Sequence, residues 1–167
     1  MKINEKTKIK IYPINKELSH KFSFRKAHSA DSGIDIITLY PITLPARKIV
    51  LIDTGYAFRG IEPAFSNNNE FLYELQIRSR SGLAKKGIIV ANQPGTVDAG
   101  YRGNIGILLY NTNDFNYTIP SESGICQLVV VPISPSFVEI LKEDDMNPLD
   151  DRGTGGFGST DKGKKNG

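Results

Sequence analysis

The sequence predicts an all-β protein, and three observations carry that prediction. Short runs rich in β-branched and aromatic residues recur at close spacing: KIKIYPI, GIDIITLYPITL, KIVLIDTGYAF, EFLYELQIRS, KGIIVAN, NIGILLYNT, YTIP and GICQLVVVPI. Gly, Pro, Asn and Asp punctuate them, each a residue that favours turns over regular structure. Helical periodicity is missing except in SGLAKKG (81–87), which is long enough for about two turns and is stopped by Gly87. Many short strands at this spacing fit a sandwich, a jelly roll or a barrel.

The 167 residues suggest one domain. A chain of that length buries a real core without cross-links. With one cysteine, Cys126, an intramolecular disulfide framework is excluded. The N-terminal MKINEKTKIKIYPINKEL lacks the apolar run of a signal peptide, and no stretch approaches the roughly 20 apolar residues that span a bilayer. These readings predict a soluble intracellular protein, cytoplasmic or nuclear, with no membrane partner. From Arg152 onward four basic residues stand against one acidic residue, which accounts for the whole net charge of +3. A neutral body lacks the broad basic face of a duplex binder, so no nucleic-acid partner is expected. It suits a small anionic ligand met by a few placed cations. GIEPAFSNNNE (60–70) is polar and uneven and is expected to be a surface loop between two strands. Near Asp144 the composition turns polar and Gly-rich. The expected organisation is a β domain over 1–150 and a flexible Gly-rich arm over 151–167.

Several stretches hold residues suited to chemistry. RSRSGLAKKG (78–87) follows a strand: Ser81 offers a hydroxyl, Gly82 permits close backbone approach, and Arg80 presents a planar fork of donors suited to phosphate. A strand-to-helix turn with Ser81 as N-cap explains the same residues. VANQPGTVDAGYRGN (90–104) carries two turn signals around Asp98, a carboxylate able to act as general base toward water. Tyr101 adds a flat ring with a polar tip and Asn92 an amide that both donates and accepts. A β-hairpin with a capping Asp98 and a structural Tyr101 remains the alternative. DSGIDI (31–36) places two aspartates around a glycine, explained by turn chemistry, or by a metal role that would need further oxygen ligands. Gln127 is the polar exception in a core strand. The tail RGTGGFGST (152–160) has neither the spacing nor the lysine of a phosphate-gripping P-loop. Phe157 is a large ring there with no evident core to join.

In this order, DSGIDI, RSRSGLAKKG, NQPGTVDAGYRGNIGILLYN, GICQLV and RGTGGFGST resemble the five motifs of the homotrimeric deoxyuridine triphosphatases (dUTPases), over residues 27–160. The resemblance implies a jelly-roll-like β domain with one short helix and a flexible arm, assembled as a homotrimer with shared active sites. It implies hydrolysis of dUTP to dUMP and pyrophosphate, with Mg2+ held mainly by the triphosphate. Asp98 would then be the catalytic base, and Tyr101 would pack under the deoxyribose. Asn92 and the backbone of Gly95, Thr96 and Val97 would read uracil, with Gly106 beside the substrate. Arg80, Ser81 and Gly82 would bind the phosphates of a neighbouring subunit's substrate, Gln127 would add a phosphate contact, and Asp35 would approach the metal through water. Arg152, Phe157, Gly158 and Ser159 would belong to an arm that closes over the nucleotide. Ser79 departs from the resemblance, standing where proline is common. The alternatives are a dCTP deaminase-type relative, which would need a glutamate in the segment around Asp98, and a non-catalytic binding member of the same fold.

Overall fold

The computed structural model describes residues 8–62 and 72–134, together with 136, 138 and 140. The elements run β1 (Lys8–Pro13), α1 (Lys16–Ser19), β2 (Phe22–Arg25), β3 (Gly33–Thr38), β4 (Ile42–Leu44), β5 (Ile49–Glu62), β6 (Leu72–Arg78), α2 (Ser81–Ala84), β7 (Ile88–Val90), β8 (Gly95–Val97), β9 (Asn104–Asn111), β10 (Tyr117–Ile119) and β11 (Ser123–Ile133). They make a four-stranded sheet ordered β1-β5-β9-β7, a five-stranded sheet ordered β2-β3-β11-β6-β8, and a small pair, β10-β4. Every strand pairing among them is antiparallel. The all-β expectation holds.

Period-two patterning explains how the layers meet. Along β9, Ile105, Ile107 and Leu109 point inward and are buried, while Gly106, Leu108 and Tyr110 between them are only half-buried. Those inward residues join Ile52, Phe58, Ile88 and Val90 of the same sheet. Across the core lie Ile36, Leu75, Ile77, Val97, Ile125 and Leu128 of the larger sheet, and Leu44 and Ile119 of the small pair close one end. One continuous apolar cluster therefore lies between two sheets, the arrangement in which each hides its apolar face on the other. Where the chain turns, polar groups are satisfied internally. Asn111 is buried, its amide donating to the carbonyls of Leu44 and Phe115 at 3.0 and 2.8 Å and its oxygen accepting from Asn113.

Several local expectations change. Among the described residues there are two short helices rather than one: Asn15 caps α1 by accepting the Leu18 N–H at 3.1 Å, a signal carried by a single polar residue in INKEL. The run GIDIITLYPITL divides into β3 and β4 around Leu39, Tyr40 and Pro41. SGLAKKG forms a single α-turn, because Gly87 takes φ 77°, a left-handed conformation that ends helices. Ser81 is not the cap of α2; Arg80 holds that position without a side-chain capping bond, and Ser81 is the first helical residue. Residues 63–70 of the expected loop lie outside the described residues. So does the expected domain boundary at 150/151; the chain divides into compact units at 135/136. Among the described residues no helix is long and apolar enough to cross a membrane.

Candidate active site

The segment that the sequence left open to a hairpin does something else. β7 pairs with β9 in the four-stranded sheet, whereas β8 pairs with β6 in the five-stranded one. Residues 91–94 thus carry the chain from the edge of one sheet to the edge of the other, and residues 98–103 carry it back to β9. A hairpin would have closed this edge of the sandwich. The double crossing, which includes a cis Gln93–Pro94 peptide, leaves it open instead.

In the opening is a cavity of about 440 Å³, walled by Asn92, Gly95, Thr96, Val97, Tyr101 and Gly106 with Leu51, Asp53, Ile77, Asn104 and Leu108. That volume falls in the range of small-molecule sites, about 300–1,000 Å³. The first six of these residues are the ones that the sequence marked for base and sugar recognition. Glycine gives Asn92 close approach to the backbone: a Cβ on Gly95 would lie 3.2 Å from the Asn92 amide nitrogen and 3.3 Å from its oxygen, a tight fit. Both polar atoms of Asn92 therefore lie against bare backbone. Tyr101 is half exposed, its hydroxyl donating to the Asn104 carbonyl at 3.1 Å and its N–H to the Asp98 carbonyl at 3.0 Å. Arg102 pins the same turn by donating to the carbonyls of Ala99 and Tyr101 at 2.8 and 2.9 Å. Asp98 follows Val97 directly but is not among the walls of the cavity. It is exposed, and its carboxylate engages no other described residue. Two polar wall residues escaped the sequence reading. Asp53 accepts from the Asn104 amide at 2.6 Å, and Asn104 accepts from the Gly55 N–H at 2.7 Å. They lie 51 positions apart; Asp53 belongs to none of the five motif stretches, and Asn104 falls inside the third, where its side chain was not singled out.

A second cluster gathers Arg80, Asp35 and Gln127. Arg80 donates through Nε to Asp35 Oδ1 at 3.0 Å and pairs through Nη2 with Oδ2 at 3.0 Å, a bidentate fork. Its Nη1 donates to the Gly124 carbonyl at 3.0 Å, and Gln127 Nε2 donates to Asp35 Oδ1 at 3.1 Å. Strand register sets this up, since Asp35 of β3 stands opposite Gln127 of β11. A Cβ on Gly124 would come within about 2.8 Å of the guanidinium and one on Gly33 within 3.0 Å of Gln127, so both glycines make room for the cluster. Asp35, expected to approach a metal through water, has a buried carboxyl here whose two oxygens both meet protein donors. Gln127 likewise supports that carboxylate in this structure. Among the described residues no group of three or more His, Cys, Asp and Glu is placed to cage a metal.

Beyond Arg80 the turn is open. Ser81 and Gly82 are exposed, nothing would meet a Cβ on Gly82 within 4 Å, and the Ser81 hydroxyl and the two N–H groups have no partner among the described residues. Free donors next to an anchored guanidinium are suited to anionic oxygens. Beneath the cluster, Cys126 is fully buried. Burial first, and the Asp35 charge second, push its thiol far above the usual range, with Arg80 opposing. It is a core residue. Arg152, Phe157, Gly158 and Ser159 lie outside the described residues.

Comparison with known proteins agrees with this arrangement. The dUTPase family matches residues 20–161. A deoxyuridine 5'-triphosphate nucleotidohydrolase of Picosynechococcus sp. is 41% identical over 134 residues, 80% of this chain and 86% of its own. One from Nautilia profundicola is 38% identical over 157 residues, 93% of this chain and 99% of its own. Among solved structures, the Staphylococcus bacteriophage 80alpha dUTPase with dUpNHpp superposes with a TM-score of 0.71 at 24% identity, covering 91% of this chain and 97% of that one. The dUTPase from phage phi11 of S. aureus, described with a structural Mg(II) ion, gives 0.62 at 21% identity over 83% and 99% of the two chains. The family match spans most of the sequence and includes both crossings of the open edge and the Arg80 turn, so the chain belongs to the dUTPase family.

Proposed function

We propose that this chain hydrolyses dUTP to dUMP and pyrophosphate, acting inside the cell to keep uracil out of DNA and to supply dUMP for thymidylate synthesis. The observation that carries the reading is the single cavity wall formed by Asn92, Gly95, Thr96, Val97, Tyr101 and Gly106. Uracil presents an N3–H donor between two carbonyl acceptors, which the Asn92 amide and the bare β8 backbone can match. Cytosine inverts two of those positions. A site left with unpaired polar groups discriminates by as much as 10⁴–10⁵ in rate, on the order seen when a designed hydrogen bond is lost. The Tyr101 ring lies under the sugar, and a 2′-hydroxyl there would overpack it by roughly 1–3 kcal/mol.

In this reading Asp98 accepts a proton from a water whose oxygen attacks the α-phosphorus. The bond to the oxygen bridging the α- and β-phosphorus breaks, and pyrophosphate leaves. General-base catalysis of this kind is worth about 10²–10⁴ in rate. Arg80, oriented by Asp35 and Gln127, directs its remaining donors with Ser81 and Gly82 at the phosphates. Mg2+, where it arrives with the triphosphate, would neutralise part of that charge. The functional assembly is a homotrimer in which the Arg80 turn serves a neighbouring subunit's substrate. The C-terminal arm, with Arg152, Phe157, Gly158 and Ser159, closes over the nucleotide, its ring stacking on the base for on the order of 1–3 kcal/mol.

Pyrophosphate release with Mg2+ from dUTP, dCTP, dTTP and UTP tests this directly. Turnover of dUTP alone to dUMP is the expected result. Deaminated product from dCTP would place the chain with the deaminase-type relatives. Silence on all four would leave a binding protein.

A further inference from the structure

Residues 91–94 lie outside both sheets, yet they place Asn92 at the cavity. Among the described residues, the Gln93 N–H donates back to the Val90 carbonyl of β7 at 3.4 Å, and two bonds tie the segment to elements beyond β7. The Ala91 N–H donates to the Leu108 carbonyl at 2.8 Å, and the Gln93 side-chain oxygen accepts the Ser79 N–H at 3.0 Å. Ser79 also receives the Val90 N–H on its hydroxyl at 2.8 Å. It therefore grips the crossing both where it leaves β7 and midway along. Ser79 immediately precedes Arg80, so the crossing that carries Asn92 is fastened to the turn that carries Arg80, Ser81 and Gly82. Sheet pairing does not supply this link, because β6 meets β8 only from Ile77 opposite Gly95 back to Leu75 opposite Val97.

We propose that Gln93 is a positioning residue for the reaction, holding the base-reading segment in register with the phosphate-facing turn through its bond to the Ser79 N–H. The proposal rests on the reading of this site as a dUTP hydrolase. Its consequence is that base recognition and phosphate placement in one subunit move together. Loss of the link lets Asn92 drift against the Gly95 backbone, which weakens both binding and choice of base. Gln93 is exposed and fills no part of the core, so its removal loosens the site without unfolding the sandwich.

The experiment compares wild type, Gln93→Met, Gln93→Glu and Ser79→Pro, and combines Gln93→Met with Ser79→Pro. The readouts are kcat and KM for dUTP, the preference for dUTP over dCTP, and the melting temperature. Met keeps the length but loses the acceptor, whereas Glu keeps an acceptor. Proline has no N–H to give. Gln93→Met is expected to raise KM for dUTP by about three- to tenfold, the range of one net hydrogen bond. It should also narrow the preference over dCTP with the melting temperature unchanged. Gln93→Glu should restore the wild-type KM, and Gln93→Met should add nothing in the Ser79→Pro background. Unchanged KM and preference in Gln93→Met, the same penalty with and without Ser79's N–H, or a KM change that only follows a falling melting temperature would each overturn the proposal. Should Ser79→Pro fail to fold, the contrast between Met and Glu decides. Wild-type protein that leaves dUTP intact would overturn the functional reading and this proposal with it; active wild type with an indifferent Gln93 overturns the proposal alone.

Discussion

Replacing Asp35 by asparagine keeps the shape of the side chain under Arg80 and removes its charge. In the native structure the Asp35 side chain is 9% exposed and its carboxyl receives three donors, two from Arg80 at 3.0 Å and one from Gln127 at 3.1 Å. The amide can still accept on its oxygen, but its NH2 group turns a donor toward a guanidinium that can only donate. Breaking a buried ion pair from one side costs about 3–5 kcal/mol because the other charge is left uncompensated. Arg80 is 29% exposed, so water screens part of that loss, and its bond to the Gly124 carbonyl survives. The net effect is then about 1–3 kcal/mol. For a chain of this size each kcal/mol moves the melting temperature by roughly 2–4 °C, so about 2 kcal/mol lowers it by roughly 4–8 °C. Thermal and urea melts at pH 7, both at one protomer concentration, measure this. The same variant should raise KM for dUTP, because an unanchored Arg80 must be ordered by the substrate. A variant within about 0.5 kcal/mol of wild type and with an unchanged KM would refute the reasoning, showing that the pair only breaks even with hydration.

Three other outcomes follow from the same geometry. Asp98→Asn should lower kcat by about 10²–10⁴ while a non-hydrolysable dUTP analogue still binds, since its carboxylate supports no other described residue; calorimetry showing equal loss of binding would make Asp98 structural. Gly124→Ala should displace the Arg80 fork and destabilise by about 1–3 kcal/mol, read in urea melts with KM alongside, because the new methyl would lie about 2.8 Å or less from the guanidinium. Cys126 should resist a thiol reagent at pH 8 in the native state and react on unfolding, its thiol being buried and held protonated. Stoichiometric labelling of folded protein would contradict that environment.

Much of the site was legible because its parts are local strings. The β7–β9 region reads as turn signals around an aspartate, and the Arg80 turn reads as donors next to a glycine, so both could be named before any contact was known. Local propensity could not show which sheet each short strand joins. Three-residue strands such as β7 and β8 carry no signal of partner, and pairing is settled by which neighbour buries their apolar side chains. For that reason a segment that the sequence left open to a hairpin proved to be a double crossing between sheets, with the cavity at the crossing.

The sequence by itself determined the all-β class, the approximate strand segments, and the residue types suited to phosphate binding and to activating water. These follow from side-chain period, turn chemistry and functional groups, which are properties of neighbours along the chain. Only the tertiary structure decided what Asp35 does. Its partners Arg80 and Gln127 are 45 and 92 positions away, and they meet through antiparallel register and through the space that Gly33 and Gly124 leave empty. A charge at such a position takes its role from whichever donors the fold places around it, because burial makes an unpaired carboxylate too costly to leave facing nothing.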